Sequence, residues 1–298
     1  MIKTVQAPRY TYDPVLGAPE GAKAAWEEAG CLILEGFVSE TACDDLIAAS
    51  DRLTQDLLDE AEGHAFDAVD NQHSDEDYFL SSGSVIRAFM EEKTDGVDRK
   101  RAVNKLGHAM HDLDPSFEAF SHQKQLLKLT KQMGLGTPLL LQSMLIFKHA
   151  RVGGEVTMHQ DSTFIYSEPE TCIGFWFALQ DATTENGAMY ALPGWHKGPL
   201  EKRFHRSASD DNMTEFDHLA DVDWPLDEAV PLEAPKGSLI MLHGRLPHRS
   251  SANTSNKSRY AYTLHTVDAS AHYPDDNWLR RGEEMPLRTF GESAGQAV

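Results

Sequence analysis

The clearest hydrophobic pattern lies in the second half of the chain, after Pro138. Short apolar runs typical of strands are separated there by turn residues, at 139–148, 172–180, 188–192, 238–242 and 259–267. Asn186 and Gly187 form a dipeptide that favours a β-hairpin turn. Many short strands joined by loops predict a β-barrel or sandwich such as a jelly roll. The weakly patterned residues 198–233 are expected to form an extended loop over one end of it.

The first part of the chain has the apolar spacing of helices. The pattern predicts helices over 18–30 and 115–133, with a buried strand between them over 31–37. Ser39 is a favourable N-cap for a further helix that carries its leucines on one face. We expect these helices to flank the barrel. The prediction is therefore a mainly β chain with one domain over residues 1–298, whose jelly roll spans about 139–268.

Composition narrows the classes of partner. The 298 residues carry 27 Lys and Arg against 47 Asp and Glu, which gives a formal net charge of −20. This charge disfavours nucleic acid, because phosphates bind basic surfaces. No apolar run approaches the roughly 18 residues of a membrane helix, so no membrane partner is expected. The cysteines form no disulfide or zinc pattern and no secretory signal is evident, which predicts a cytoplasmic protein; no protein partner is inferred.

Candidate chemistry begins with the histidines, of which the chain has 14. In an extended segment, residues i and i+2 project to the same face, so a His-x-Asp tripeptide can offer two ligands to one metal ion. A second histidine would complete the two-His-one-carboxylate site that suits non-haem Fe(II). Two such tripeptides occur, at His73/Asp75 and His159/Asp161.

Sequence context separates the two pairs. His73 and Asp75 lie in the polar, acidic stretch 59–77, which is typical of a solvated loop. His159 and Asp161 lie between two predicted strands, at the rim of the barrel where pockets form. An ordinary polar turn would explain the second pair as well, so the local pattern alone leaves both interpretations open.

A third ligand and a cation are available further along the chain. His248 follows a buried strand that ends near His243, and Arg259 opens another strand 11 residues later. An arginine offers two parallel donors to the far carboxylate of a dicarboxylic cosubstrate. His243 and His265 are alternative third ligands. His265 shares a strand face with Arg259, because an even number of residues separates them.

These motifs together resemble the phytanoyl-CoA dioxygenase family. The resemblance rests on the segment from His159 to Tyr166, on Glu185 with the Asn-Gly that follows it, on Pro193-Gly-Trp-His, on His248-Arg-Ser and on Arg259. It covers roughly residues 20–280 and is far more specific than His-x-Asp alone. It implies a double-stranded β-helix, which is a cupin-like jelly roll, carrying an Fe(II)- and 2-oxoglutarate-dependent oxygenase.

The resemblance also implies a role for individual residues. It makes His159, Asp161 and His248 the iron ligands, and it gives Arg259 and Ser250 the far carboxylate of 2-oxoglutarate. It further places three residues in the cosubstrate pocket, namely Lys105, Met144 and Trp176. Without it, Lys105 would be a solvated charge on a helix over 104–111, and the other two would be ordinary core residues.

The expected reaction is hydroxylation of a C–H bond of a small organic or acyl substrate, using O2 and releasing succinate and CO2. Two alternatives remain open, a zinc-dependent enzyme with the same ligands and a non-catalytic barrel that binds a metal or small ligand. Trp195 departs from the family's usual Pro-Gly-Ser-His loop. It is expected either to shape the substrate entrance or to pack, and His196 is expected to be structural.

Overall fold

The computed structural model describes residues 2–61, 64–67, 72–73, 76–91, 94 and 96–292. Its helices are α1 (Ala22–Ala29), α2 (Glu40–Leu57), α3 (Glu76–Leu80), α4 (Met110–Leu113), α5 (Pro115–Ser121) and α6 (Lys124–Met133). The first strands are β1 (Arg9–Thr11), β2 (Cys31–Glu35), β3 (Ala65–Asp67), β4 (Gln72–His73), β5 (Ile86–Glu91), β6 (Val103–His108), β7 (Pro138–Lys148), β8 (Val156–His159) and β9 (Ile173–Ala178). The remaining strands are β10 (Met189–Ala191), β11 (Lys202–Arg206), β12 (Thr214–His218), β13 (Val230–Leu232), β14 (Leu239–His243), β15 (His248–Ser250), β16 (Arg259–Asp268) and β17 (Arg288–Thr289).

Most strands join two sheets, as the jelly-roll prediction requires. The large sheet has the order β1-β2-β14-β9-β16-β7-β6-β5-β3-β4, with β17 added beside β7. The smaller sheet has the order β13-β10-β15-β8, and β11 pairs with β12 alone. Apolar side chains of both sheets pack together, including Trp176 and Ile240 from the large sheet and Met189 from the small one. The predicted mainly β fold with flanking helices is confirmed.

Alternation along β16 gives the large sheet two different faces. Tyr262 points to the helices, where its ring lies 4.9 Å from that of Phe117 in α5. Arg259 and His265, at odd positions on the same strand, line a cavity on the opposite face. The predicted shared face of these two residues is therefore confirmed, and the helices cover the sheet surface that the cavity does not use.

The predicted helix start at Ser39 is confirmed, but the helix over 115–133 is wrong. The Ser39 hydroxyl accepts a hydrogen bond of 3.2 Å from the amide of Ala42, which caps α2. The segment 115–133 forms α5 and α6, because His122 and Gln123 leave helical conformation between them. Neither residue is a strong breaker, so the periodicity alone gave no sign of the break.

Three further expectations are corrected. The segment 104–111 is not one helix, because its residues up to His108 belong to β6 and only the last two lie in α4. β6 pairs with strands on both sides and all six of its residues are buried, which removes any alternation. The loop expected over 198–233 contains β11, β12 and β13. Asn186 and Gly187 do not close a hairpin, because β9 before them and β10 after them belong to different sheets.

The acidic segment 59–77 is not entirely loop, since β3 and β4 lie within it. His73 lies in β4, and Asp75 lies outside the described residues. Every helix in the described part of the chain is too short or too polar to traverse a lipid bilayer. The single domain over residues 1–298 stays a prediction.

A buried ion-pair cluster holds the C-terminal segment against α4. Asp112 accepts hydrogen bonds of 2.7 Å from Nη2 of Arg288 and 3.1 Å from Nη1 of Arg281. Burial alone would raise the pKa of the Asp112 carboxyl, but hydrogen bonds from His111 and Arg288 outweigh it and hold that pKa well below its usual range. The carboxylate therefore stabilises the folded state at neutral pH.

Replacing Asp112 with alanine is expected to lower the free energy of unfolding by about 3–5 kcal/mol, because the buried Arg281 guanidinium loses its ion pair with Asp112 and that of Arg288 keeps only its pair with Glu118. Urea denaturation at pH 7 measures this. A carboxyl whose pKa is lowered on folding stabilises above its unfolded pKa of about 3.9, so the difference from wild type should shrink as the pH falls through that value. Asp221→Ala is the control, since Asp221 is fully exposed. Equal stability of the two variants would contradict the prediction.

Candidate active site

The sheet register brings two histidines side by side. His159 is the last residue of β8 and His248 the first of β15, and these residues are paired across the two antiparallel strands. Their ring centroids lie 4.3 Å apart. Asp161 follows in a short turn, which the amide of Ser162 anchors by donating to the carbonyl of Gly244 at 2.8 Å. The three side chains therefore meet because of strand pairing and one tight turn.

The three candidate ligands converge on one point. The Asp161 Oδ1 atom lies 3.6 Å from Nε2 of His159 and 3.6 Å from Nε2 of His248. One ligand atom from each residue lies within 4.8 Å of the other two, which is compatible with a shared metal ion. Among the described residues, Asp161 Oδ2 has no hydrogen-bond partner. A buried carboxylate oxygen in that condition is suited to a cation.

Hydrogen bonds on the far side of each ring fix the histidine tautomers. Nδ1 of His159 lies 2.9 Å from the carbonyl of Thr157, and Nδ1 of His248 lies 3.0 Å from that of Leu246. A carbonyl only accepts, so each Nδ1 donates and each Nε2 keeps its lone pair. Burial lowers the pKa of His248 to about 4, so its ring is neutral at pH 7. Two lone pairs and a carboxylate therefore face each other, which is the donor set of a divalent metal site.

The two alternative third ligands are placed differently. The His243 ring lies tilted against that of His196 with 5.1 Å between their centroids, and its Nδ1 accepts from the amide of Arg245. His265 lies next to the site, with Nε2 3.4 Å from Oδ2 of Asp161. His265 therefore contacts a candidate ligand, whereas His243 belongs to a separate cluster.

One cavity contains the triad and every residue proposed for the cosubstrate. It measures about 180 Å³. Its lining includes all eight predicted residues, namely Lys105, Met144, His159, Asp161, Trp176, His248, Ser250 and Arg259. The strands β6, β7, β8, β9, β15 and β16 supply seven of them and the turn after β8 supplies Asp161, which is why no single stretch of sequence carries the site.

Arg259 is a buried cation in this cavity. Its side chain is 2% exposed and donates one hydrogen bond of 3.0 Å, from Nη2 to the carbonyl of Gly187. Its Nε and Nη1 atoms are buried and have no partner among the described residues. Burial lowers the pKa of Arg259 to about 9, so the guanidinium still carries its charge at pH 7. A buried cation with unfilled donors is suited to an anionic ligand.

Comparison with known proteins agrees with this geometry. The family model described as phytanoyl-CoA dioxygenase (PhyH) matches residues 26–261. The chain belongs to the phytanoyl-CoA dioxygenase family. A phytanoyl-CoA dioxygenase of Arabidopsis thaliana is 38% identical over 264 residues, covering 86% of this chain and 91% of that protein. Phytanoyl-CoA dioxygenase domain-containing protein 1 of Mus musculus is 35% identical over 278 residues, covering 88% and 94%.

Solved structures share the fold of this family member. The non-heme alpha ketoglutarate dependent carbocyclase SnoK from nogalamycin biosynthesis superposes with a TM-score of 0.64 at 18% identity, over 93% of this chain and 99% of SnoK. EctD from S. alaskensis, solved with 2-oxoglutarate and 5-hydroxyectoine, gives a TM-score of 0.59 at 15% identity, over 95% of each chain. At these identities the similarity establishes the fold, and the predicted double-stranded β-helix is confirmed.

Lys105 departs from the solvated helix charge that the sequence pattern favoured in the absence of a family. It lies in β6, it is 7% exposed, and its Nζ lies 5.1 Å from the centroid of the Phe89 ring. Burial lowers the pKa of Lys105 to about 7. The ammonium therefore changes charge near neutral pH, inside the cavity of this phytanoyl-CoA dioxygenase family member.

Sequence reasoning missed Lys148, which lies opposite Arg259 where β7 and β16 pair. Its Nζ donates to the carbonyl of Ser251 at 2.8 Å and also to that of Gly154. The Ser251 carbonyl lies just after β15, and the Gly154 carbonyl lies just before β8. One lysine therefore connects the segments next to the two strands that carry the histidines. A lysine at the end of an apolar run normally reaches water, so the pattern gave no signal of its burial.

Trp195 and His196 lie outside the cavity lining. The indole Nε1 of Trp195 donates to the Thr4 hydroxyl at 3.1 Å, and Nε2 of His196 lies 3.3 Å from the carbonyl of Glu27. Of the two roles open to Trp195, this placement favours packing.

Proposed function

We propose that this protein is an Fe(II)- and 2-oxoglutarate-dependent oxygenase that hydroxylates a C–H bond of a small organic substrate with O2. Succinate and CO2 are the expected co-products. The observation that carries the proposal is one cavity that joins a two-His-one-carboxylate centre to a buried arginine with unfilled donors. Membership of a dioxygenase family supports the same class of enzyme.

The residues present fit the implied metal. His159, Asp161 and His248 would hold iron through two imidazole nitrogens and one carboxylate oxygen, a set that leaves positions open for a 2-oxo acid and O2. Bound iron would supply the activation of O2 that no side chain can provide. The crystal structure of the epimerase SnoN holds Fe3+ and alpha ketoglutarate, which supports this choice of cofactor and cosubstrate on the shared fold.

The side chains of the cavity would bind and orient the cosubstrate. The Arg259 guanidinium would donate to the far carboxylate of 2-oxoglutarate, with the Ser250 hydroxyl as a second donor. Met144 and Trp176 would pack against its carbon chain and exclude water. Lys105 would add a donor at the side of the cavity whose charge depends on pH near neutrality. The cytoplasm is the proposed compartment.

A zinc enzyme is the second candidate, because two histidines and a carboxylate also form catalytic zinc sites. Arg259 favours the oxygenase, since zinc hydrolysis does not require a buried cation beside the metal. An oxygenase would turn over 2-oxoglutarate when loaded with Fe(II), whereas a zinc enzyme would not. Loading the same protein with either metal therefore separates the two candidates.

The test compares metals on one preparation of protein. Metal-free protein is loaded anaerobically with Fe(II) or with Zn(II), given 2-oxoglutarate, and exposed to O2. We expect slow formation of succinate with Fe(II) alone, and stimulation by a substrate from a metabolite library. Succinate formation in neither sample, together with absence of 2-oxoglutarate binding by calorimetry, would overturn the proposed function.

A further inference from the structure

Trp278 lines the cavity from a segment that lies beyond the residues matched by the family model. Its side chain is 2% exposed. The indole Nε1 is buried and has no hydrogen-bond partner among the residues that the structure describes. A buried N–H group is nearly always paired in a folded protein, so this one calls for an acceptor that the chain does not itself supply.

The chain around Trp278 is held firmly in place. Nε and Nη2 of Arg206 donate to the Trp278 carbonyl at 3.2 and 3.0 Å. The amide of the Asn277 side chain donates to the carbonyl of Tyr166 at 2.8 Å, and Asn277 is fully buried. An ion pair with Arg203 holds Asp276, the residue before Asn277. These contacts fix the backbone that carries the indole before any ligand arrives, which favours tight binding.

Trp278 is part of a flat aromatic wall. Its ring stacks on Phe79, with centroids 4.2 Å apart and planes 19° apart. The His108 ring meets it edge-on at 5.2 Å. Phe164 lines the same cavity, and its ring lies 6.2 Å from that of the candidate ligand His159. The wall therefore belongs to the cavity that contains the triad, while Arg259 supplies the charge for the cosubstrate.

We propose that Trp278 recognises the substrate, by donating its indole N–H to an oxygen acceptor on a small molecule whose flat apolar part lies along Phe79 and Trp278. The acceptor is a carboxylate or carbonyl oxygen. The cavity of about 180 Å³ lies below the 300–1,000 Å³ typical of sites for larger ligands, so the substrate is small. That the bound molecule is the substrate rests on the proposed function. That Trp278 binds an oxygen acceptor does not depend on it.

The experiment measures binding of three probes that share one flat body. Cinnamate carries a carboxylate, methyl cinnamate carries an ester carbonyl, and trans-β-methylstyrene carries no acceptor. Calorimetric titrations use wild-type protein anaerobically, first alone and then with Fe(II) and 2-oxoglutarate. We expect at least one oxygen-bearing probe to bind more tightly than the hydrocarbon, and the comparison of acid with ester identifies which acceptor the site prefers.

Trp278→Phe keeps an aromatic ring that can stack on Phe79 and removes the N–H together with the second ring of the indole. The lost ring contact affects all three probes alike, whereas the lost hydrogen bond affects only those that carry oxygen, so we expect binding of the preferred probe to weaken about five- to tenfold more than binding of the hydrocarbon. Trp195→Phe is the matched control, because it removes an indole N–H that is bonded to Thr4 outside the cavity. It should bind every probe as the wild type does.

The outcomes separate the two proposals. Equal affinity of Trp278→Phe and wild type for the oxygen-bearing probes would overturn the role of Trp278, as would failure of the wild type to bind any of the three. Absence of 2-oxoglutarate binding in the wild type would overturn the proposed function instead. The dependence of probe binding on Trp278 would still be measured in the titrations made without cosubstrate.

Discussion

Replacing Arg259 with methionine is expected to weaken 2-oxoglutarate binding by at least about 100-fold while leaving the folded protein about as stable as the wild type. Two charge-assisted hydrogen bonds to a carboxylate contribute about 1.5–3 kcal/mol each, which sets the size of the loss. One N–H of Nη2 donates to Gly187, while Nε and Nη1 have no hydrogen-bond partner among the described residues, so donors remain for the carboxylate. Calorimetry with 2-oxoglutarate on metal-loaded protein measures the affinity.

The expected stability follows from the same burial. Burial lowers the pKa of Arg259, which means that the folded protein disfavours its charge. Methionine removes that unfavourable charge and fills a similar volume, while the carbonyl of Gly187 loses one donor. The two effects oppose each other, so the free energy of unfolding should change by no more than about 1 kcal/mol. A small change in the free energy of unfolding is what distinguishes a residue that binds a ligand from one that stabilises the fold.

Arg259→Lys is the control for geometry. It keeps the positive charge but loses the two parallel donors of the guanidinium, so we expect an affinity between those of wild type and Arg259→Met. Wild-type affinity for 2-oxoglutarate in Arg259→Met, with a normal unfolding transition, would contradict the role proposed for this residue.

The candidate metal triad could be proposed from the sequence because two of its three residues are local. His159 and Asp161 are two residues apart, and that spacing puts both side chains near one point whatever the rest of the fold does. His248 was identified from its position after a buried strand and from the family motif. The pairing of β8 with β15, which sets the two imidazoles side by side, involves residues far apart in sequence and is visible only in the structure.

The fold was less predictable where burial removes periodicity. β6 lies between β5 and β7 and is buried along its whole length, so its six residues show neither a strand alternation nor a helical stripe. Lys105 lies in this strand, and its burial could not be foreseen from a sequence in which lysine normally marks a solvated surface. Trp278 was missed for a related reason, because it lies in a loop whose contacts are all tertiary.

The net charge of −20 acquires a local meaning in the cavity. A protein that repels anions on average must concentrate cations where a dianion is to bind. Arg259 was expected to do this, with Lys105 beside it, and both line the cavity. The structure adds Lys148, whose pKa is lowered well below its usual value by burial and by the nearby Arg259 charge. The cations thus lie on neighbouring strands of one sheet, whereas the sequence distributes them over more than 150 residues.

Replacing His159 with alanine is expected to abolish formation of succinate by lowering metal affinity at least about 100-fold, because loss of an outer-shell partner alone costs about 10- to 100-fold. Titration with Fe(II) under anaerobic conditions measures the affinity directly. Folding should persist, since the ring lies at the cavity and its Nδ1 hydrogen bond goes to the carbonyl of Thr157, two residues before it. A change in the unfolding transition would therefore be small compared with the loss of metal.

His218→Ala is the matched control for this prediction. His218 also lies beside an aspartate, with Nε2 2.8 Å from Asp221, but that pair is exposed. Among the described residues, no third metal ligand converges with this pair. If a His–Asp pair were enough to bind iron, both variants would lose metal. If the convergence of three ligands at the cavity is required, only His159→Ala does. Retention of tight Fe(II) binding and succinate formation by His159→Ala would show that the metal is held elsewhere in the chain.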